Sequence, residues 1–145
     1  MSLDRSFVER NRASTSRIRA LVERLSDAEL QKPVGQHWTV AIALLHLAFW
    51  ERRTLYLLNE TEKAGQLVAP TIDLVVNDLS LPLWAAIPPR EAVRIAIESA
   101  QAVDEKLESY PPALIDVVYA GNEHWVQRDL HRNEHLDELE AVLKG

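Results

Sequence analysis

Thr39-Val40-Ala41-Ile42-Ala43-Leu44-Leu45-His46-Leu47-Ala48-Phe49 is the stretch on which the fold turns. Threonine is a favoured residue just before a helix, because its hydroxyl can accept from an orphan backbone N–H of the first turn. No proline or glycine follows until well past Glu60. The pattern predicts a helix from Thr39 to about Glu60, with Ile42, Leu45, His46, Phe49, Arg53 and Tyr56 as its inward stripe. The unbroken apolar run, Val40 to Leu45, is far short of the ~20 residues a membrane span needs. The helix therefore belongs to a packed core, and His46 sits among leucines inside it.

Working outward, Pro33, Pro70, Pro82, Pro88-Pro89 and Pro111-Pro112 divide the chain into four long proline-free segments. The first, from about Asp4 to Leu25, carries Phe7, Asn11, Ser14, Ile18, Leu21 and Leu25 in a four-three alternation. That is the seam of a bundle helix. Ser26-Asp27-Ala28-Glu29 then has the form of a capping box. The third segment starts at Pro89, a favoured first helical position, and stops before Pro111, with Val93, Ala96, Ala100, Val103 and Leu107 inward. The fourth runs from about Asn122 to Leu143, with His131, His135, Glu138, Leu139 and Val142 on one face. Residues 72–76 and 114–119 are β-branched, yet neither has an evident pairing partner, so both read as partly helical connections. The expectation is one all-α domain over residues 1–145, a four-helix up-down bundle with a long, partly structured link at 61–88 between its second and third helices.

His131 and His135 are four residues apart, so their rings leave one helix face one turn apart. Alone this is a weak sign of metal. Both share a stripe with Leu139 and Val142, and His46 faces the core from another helix. Buried polar groups need partners. One shared metal ion meets that need for three rings; separate hydrogen bonds to carbonyls or carboxylates meet it equally well, and the residues alone leave both readings open. His124 lies two turns before His131, beyond direct reach, and His37 reads as an exposed turn residue. Asn11, Ser14, Ala96 and Ala100 put small or polar groups at mid-height, which fits either a cavity or a layer of close helix approach.

Trp38-Thr39-Val40 leading into Leu44-Leu45-His46-Leu47-Ala48 resembles the second-helix motif of the DinB-like superfamily. His131-Arg132-Asn133-Glu134-His135 resembles its last-helix His-x-x-x-His, and Ile72-Asp73-Leu74-Val75-Val76-Asn77 is similar to its Asp/Asn-containing link. Where many members read His-Arg-Gly-Gln, this chain has His135-Leu136-Asp137-Glu138, closer to the mycothiol-type branch, and Ile42 stands where many carry an acid. The resemblance implies a four-helix bundle, often a homodimer, with a mid-bundle divalent metal held by His46, His131 and His135. Zinc or nickel is the first expectation, with iron and manganese also found among members. Relatives include mycothiol-dependent maleylpyruvate isomerases, which carry a further domain, and bacillithiol transferases. The implied activity is that of a thiol S-transferase or an isomerase-like enzyme; the alternative is a non-catalytic metal-binding or stress-response bundle protein.

The chain has no cysteine, so any thiol must come from outside, as a low-molecular-weight co-substrate beside a small electrophile. Three neutral imidazoles with open positions suit a catalytic ion, able to lower the pKa of bound water or to bind a thiol as thiolate. Arg53 follows His46 by about 10.5 Å along the axis and could hold a substrate carboxylate, unless its head simply reaches water. Glu138, three residues past His135, could orient that ring or simply be a solvated charge. The net charge of −6 with interleaved signs argues against nucleic acid. No basic-then-apolar leader is visible, and the expected setting is cytoplasmic. Four tryptophans and the apolar Leu81, Leu83 and Trp84 of the link exceed one small core's evident needs, which points to a homodimer.

Overall fold

The computed structural model describes residues 4–145. Helix α1 spans Phe7–Val22 and the short α2 spans Asp27–Leu30. A minimal antiparallel ladder follows, β1 Pro33–Val34 with β2 Trp38–Thr39. Helix α3 spans Val40–Ala64; α4 and α5, Val76–Leu79 and Leu81–Ala85, occupy the link. Helix α6 is Pro89–Glu108, α7 is Pro112–Gly121, and a 3-10 turn at Glu123–Trp125 leads into α8, Asp129–Lys144. The described residues form an all-α bundle. Its four longest helices close a ring in which α3 packs on α6, α6 on α1, α1 on α8 and α8 on α3.

Local chemistry explains the ends. Ser26 accepts from Glu29 N–H at 3.1 Å while the Glu29 carboxylate accepts from Ser26 N–H at 3.0 Å, a complete capping box. Thr39 Oγ1 accepts from Ile42 N–H at 3.1 Å and starts α3. That helix continues past Glu60 to Gly65, whose φ of +70° is the left-handed conformation glycine adopts without strain. The ladder between residues 33 and 39 had no signal in alternation, being only two residues a side.

Three details differ from the sequence reading. Helix α8 begins at Asp129, not near Asn122, because the Asn122 side chain caps the 3-10 turn by accepting from His124 N–H at 2.9 Å. Tyr56 is 56% exposed. Beyond His46 the buried side of α3 runs through Glu51, Thr54, Leu58 and Thr61, toward α6, α7 and α8. Glu138 is exposed, while the inward residues of α8 are Arg132, Leu136 and Leu139.

The core has two apolar clusters. One gathers Ile18, Leu44, Leu47, Ala96 and Leu136. The other gathers Phe7, Leu57, Leu58, Val103 and Val126. Along α1, α3 and α8 the residues between them are polar: Asn11, Ser14, Thr15, Glu51 and Arg132, all buried. Arg132 is 0% exposed and fills this layer. Its Nη1 donates to Asn11 O, Ser14 Oγ, Thr15 Oγ1 and Asp104 Oδ1, and its Nη2 to Glu51 Oε1 and Ala100 O. The small and polar residues at mid-height thus make room for a guanidinium, not for a substrate.

Candidate metal centre

His46 sits two turns into α3, where the Thr39 cap fixes the helix start and the ladder brings Trp38 over the ring. The Trp38 and His46 ring centroids are 4.7 Å apart. Helix α8 supplies His131 and His135, whose centroids are 4.8 Å apart. From His46 they stand at 5.6 Å and 4.7 Å. One imidazole nitrogen from each ring lies within 4.8 Å of the others. A tetrahedral ion at ~2.0–2.1 Å from each nitrogen would space them at roughly 3.4 Å, so the set closes by a contraction of up to about 1.4 Å from its 4.8 Å limit. The donor set fits a divalent ion: three imidazoles, no thiolate and no bridging carboxylate.

The rings have distinct supports. Asn77 Oδ1 accepts from Trp50 Nε1 at 3.3 Å and therefore presents an acceptor to His46 Nδ1 at 3.2 Å. This makes Nδ1 the protonated nitrogen of His46 and turns the Nε2 lone pair free for a ligand. Arg128 Nη2 approaches His131 Nδ1 at 3.4 Å. Glu138 Oε2 is 3.8 Å from His135 Nδ1, outside hydrogen-bond distance. Trp84 and Trp50 complete an aromatic wall, with centroids 6.3 Å and 6.5 Å from His46.

Burial keeps the rings neutral. It lowers His46 to about 4, helped by the charge of His135 and opposed by the Asn77 hydrogen bond. It lowers His131 to about 3, with Arg128 adding to the effect. His135 is also lowered by burial, against the pull of Glu138 and Glu134. Neutral imidazole is the form that ligates metal.

Behind His131 lies an ion network that sequence periodicity did not reveal. Glu51 Oε2 accepts from Arg128 Nε at 3.0 Å and Nη2 at 2.5 Å, and Glu51 Oε1 accepts from Arg132 Nη2 at 2.5 Å. Burial opposes ionisation of Glu51, but the two guanidiniums outweigh it and hold its carboxyl at about 2. Asp104 completes the network; burial raises its pKa against the pull of Arg132. The signal available was an acid, Glu51, directly after the apolar and aromatic half of α3, with Arg128 and Arg132 four apart beside the histidines.

Arg53 lies one side of the centre. Its Nη2 donates to Pro70 O at 2.9 Å, and its guanidinium carbon stands 4.9 Å from the Trp125 ring centroid. With His131, Trp50, Thr54, Trp125 and Arg128 it lines a cavity of about 180 Å³. A larger hollow of about 430 Å³, between Leu21, Arg24, Glu29 and Lys144, holds no histidine, so size alone does not locate the chemistry. His37 and His124 are exposed and stand outside the triad.

A family profile described as the DinB superfamily matches residues 10–142. Comparison with curated proteins and with solved structures found no match. The chain belongs to the DinB superfamily.

Proposed function

We propose that this DinB-superfamily protein holds one divalent metal ion, zinc or nickel, through His46, His131 and His135, and joins a thiol supplied in trans to a small electrophile. The observation that carries the reading is the convergence of three imidazole nitrogens from two helices within 4.8 Å of one another. With three neutral ligands a bound ion would keep its full positive charge and would supply Lewis acidity that favours a thiolate, the competent nucleophile, at neutral pH.

The chain's own residues orient and shield. Asn77 fixes the His46 ring through Nδ1. Trp38, Trp50 and Trp84 surround that ring with apolar surface, which limits water around it. With no cysteine, the chain has no thiol of its own to compete for the centre.

Metal-free protein titrated with zinc or nickel should take up one equivalent per chain. Binding to the native state alone should stabilise it by about 2.7 kcal/mol at a hundredfold excess over Kd. His135→Ala should lose most of that gain; equal metal uptake by this variant rejects the site. Metal-loaded protein should then conjugate mycothiol, bacillithiol or glutathione analogues to a reactive electrophile, and His46→Ala should abolish the reaction. Metal uptake without conjugation would leave the non-catalytic metal-binding alternative.

A further inference from the structure

We infer that the cavity beside the histidine triad is a subsite for a small organic carboxylate, received by the guanidinium of Arg53. The inference deepens the reading above and rests on it in one respect: it assigns the carboxylate to the electrophile processed at the same centre.

The first support is placement. His131 belongs to the triad and also lines the cavity that Arg53 faces, so a molecule seated there touches the centre. The second is charge. Glu51 is engaged by Arg128 and Arg132, and Asp104 by Arg132. Arg53 is half-buried, yet among the described residues no carboxylate lies within ion-pair distance of it. A guanidinium has five donor hydrogens. That of Arg53 makes one hydrogen bond, to Pro70 O, and its buried Nε has no partner. The Arg53 guanidinium therefore lines the cavity without a carboxylate partner, beside the second guanidinium of Arg128.

The third support is shape, and it narrows the anion to a carboxylate. The planar guanidinium fork matches a carboxylate's two oxygens, and the Trp125 ring holds the fork in place. The walls also carry indole rings from Trp50 and Trp125, suited to an apolar body, among the polar Thr54, Asn122, His124, Arg128 and His131. Thr54 Oγ1 donates to Trp50 O, and the Arg128 Nε and Nη2 face Glu51. One uncommitted guanidinium charge matches the single charge of a carboxylate and falls short of the nearly double charge of a phosphate near neutral pH. At about 180 Å³ the space is below the ~300–1,000 Å³ of drug-sized ligand sites, so the acid has few heavy atoms.

The test titrates propionate and benzoate into metal-free and zinc-loaded protein, by calorimetry and tryptophan fluorescence. The corresponding amides and inorganic phosphate run in parallel. One carboxylate should bind per chain in both forms, with the amides and phosphate much weaker. Arg53→Met, which keeps the stem's volume, should lower carboxylate affinity by about tenfold or more while zinc uptake is retained. Arg53→Lys should fall between. Equal carboxylate binding by a folded Arg53→Met overturns the inference, as does binding of the amide or of phosphate as tight as the acid. Carboxylate binding confined to zinc-loaded protein and indifferent to Arg53 would place the anion on the metal and also overturn it. If circular dichroism shows Arg53→Met unfolded, an undiminished affinity in Arg53→Lys overturns it instead. Arg53-dependent binding in a protein that takes up no zinc would sink the metal reading and leave this subsite standing.

Discussion

His46 and His131 are neutral because of what surrounds them, and neutrality has a thermodynamic consequence. In the unfolded chain an imidazole titrates near the ordinary 6.5, whereas burial lowers His46 to about 4 and His131 to about 3. Between those values the unfolded chain binds protons that the native chain refuses, so metal-free stability falls as pH falls. The stabilisation is fully present above pH 6.5. Loss should run to roughly 1 kcal/mol per ring for each pH unit below that, until the folded rings themselves protonate. Urea unfolding of metal-free protein from pH 7 to 5 should show this slope, and His131→Asn should reduce it. A flat profile over that range would refute the burial argument. At this scale the triad was legible in the sequence because four-residue spacing and leucine neighbours are local signals. Asn77 and Trp84, which support and wall His46, come from the link, and no periodicity carries a link residue to its place in space.

Between elements the decisive contact is the one that sequence patterning passed over. Glu51 of α3 grips Arg128, just before α8, and Arg132 within it, and so ties together the two helices that carry the histidines. Removing one member of a buried ion network leaves the others uncompensated, at a cost of about 3–5 kcal/mol. Glu51→Gln should therefore destabilise the metal-free protein by that order in urea unfolding. It should also weaken zinc binding, because the network joins the two parts of the fold that carry the three histidines. A loss below about 1 kcal/mol would mean that the network is not the tie between the helices. The helix starts at Thr39 and Pro89 and the capping box at Ser26 were readable, since each is written in one or two adjacent residues. The start of α8 was not, because Asn122 caps a 3-10 turn with the kind of side chain that would also open an α-helix. Ser14 and Ala100 fit either a cavity or a layer of close helix approach by sequence; the room is real, and Arg132 fills it from a helix more than thirty residues away in sequence.

At the scale of the whole molecule, the link between α3 and α6 combines two properties that do not usually go together. Its inner side serves the centre: Asn77 holds His46, and Trp84, one of the link residues whose apolar bulk pointed to an interface, is instead buried at 8% exposure. Its outer side is apolar and open, with Leu74 71%, Val75 47%, Leu79 68% and Leu83 71% exposed. Among the described residues no helix is long and apolar enough to cross a membrane, so a bilayer span does not account for this surface. Four such residues within one short segment form the kind of patch that marks an interface. A second copy is the simplest partner, because a two-fold axis pairs the patch with itself and closes the assembly at two chains. Light scattering at micromolar concentration should therefore give the mass of two chains. The double substitution Leu79→Glu, Leu83→Glu should return one chain with helical content intact. Because the same segment carries Asn77, the separated variant should also bind zinc more weakly than the dimer, which a purely external contact would not produce. Wild-type protein that stays at one chain's mass through the micromolar range would sink the prediction, and the apolar outer side of the link would then have no partner in a second copy of this chain.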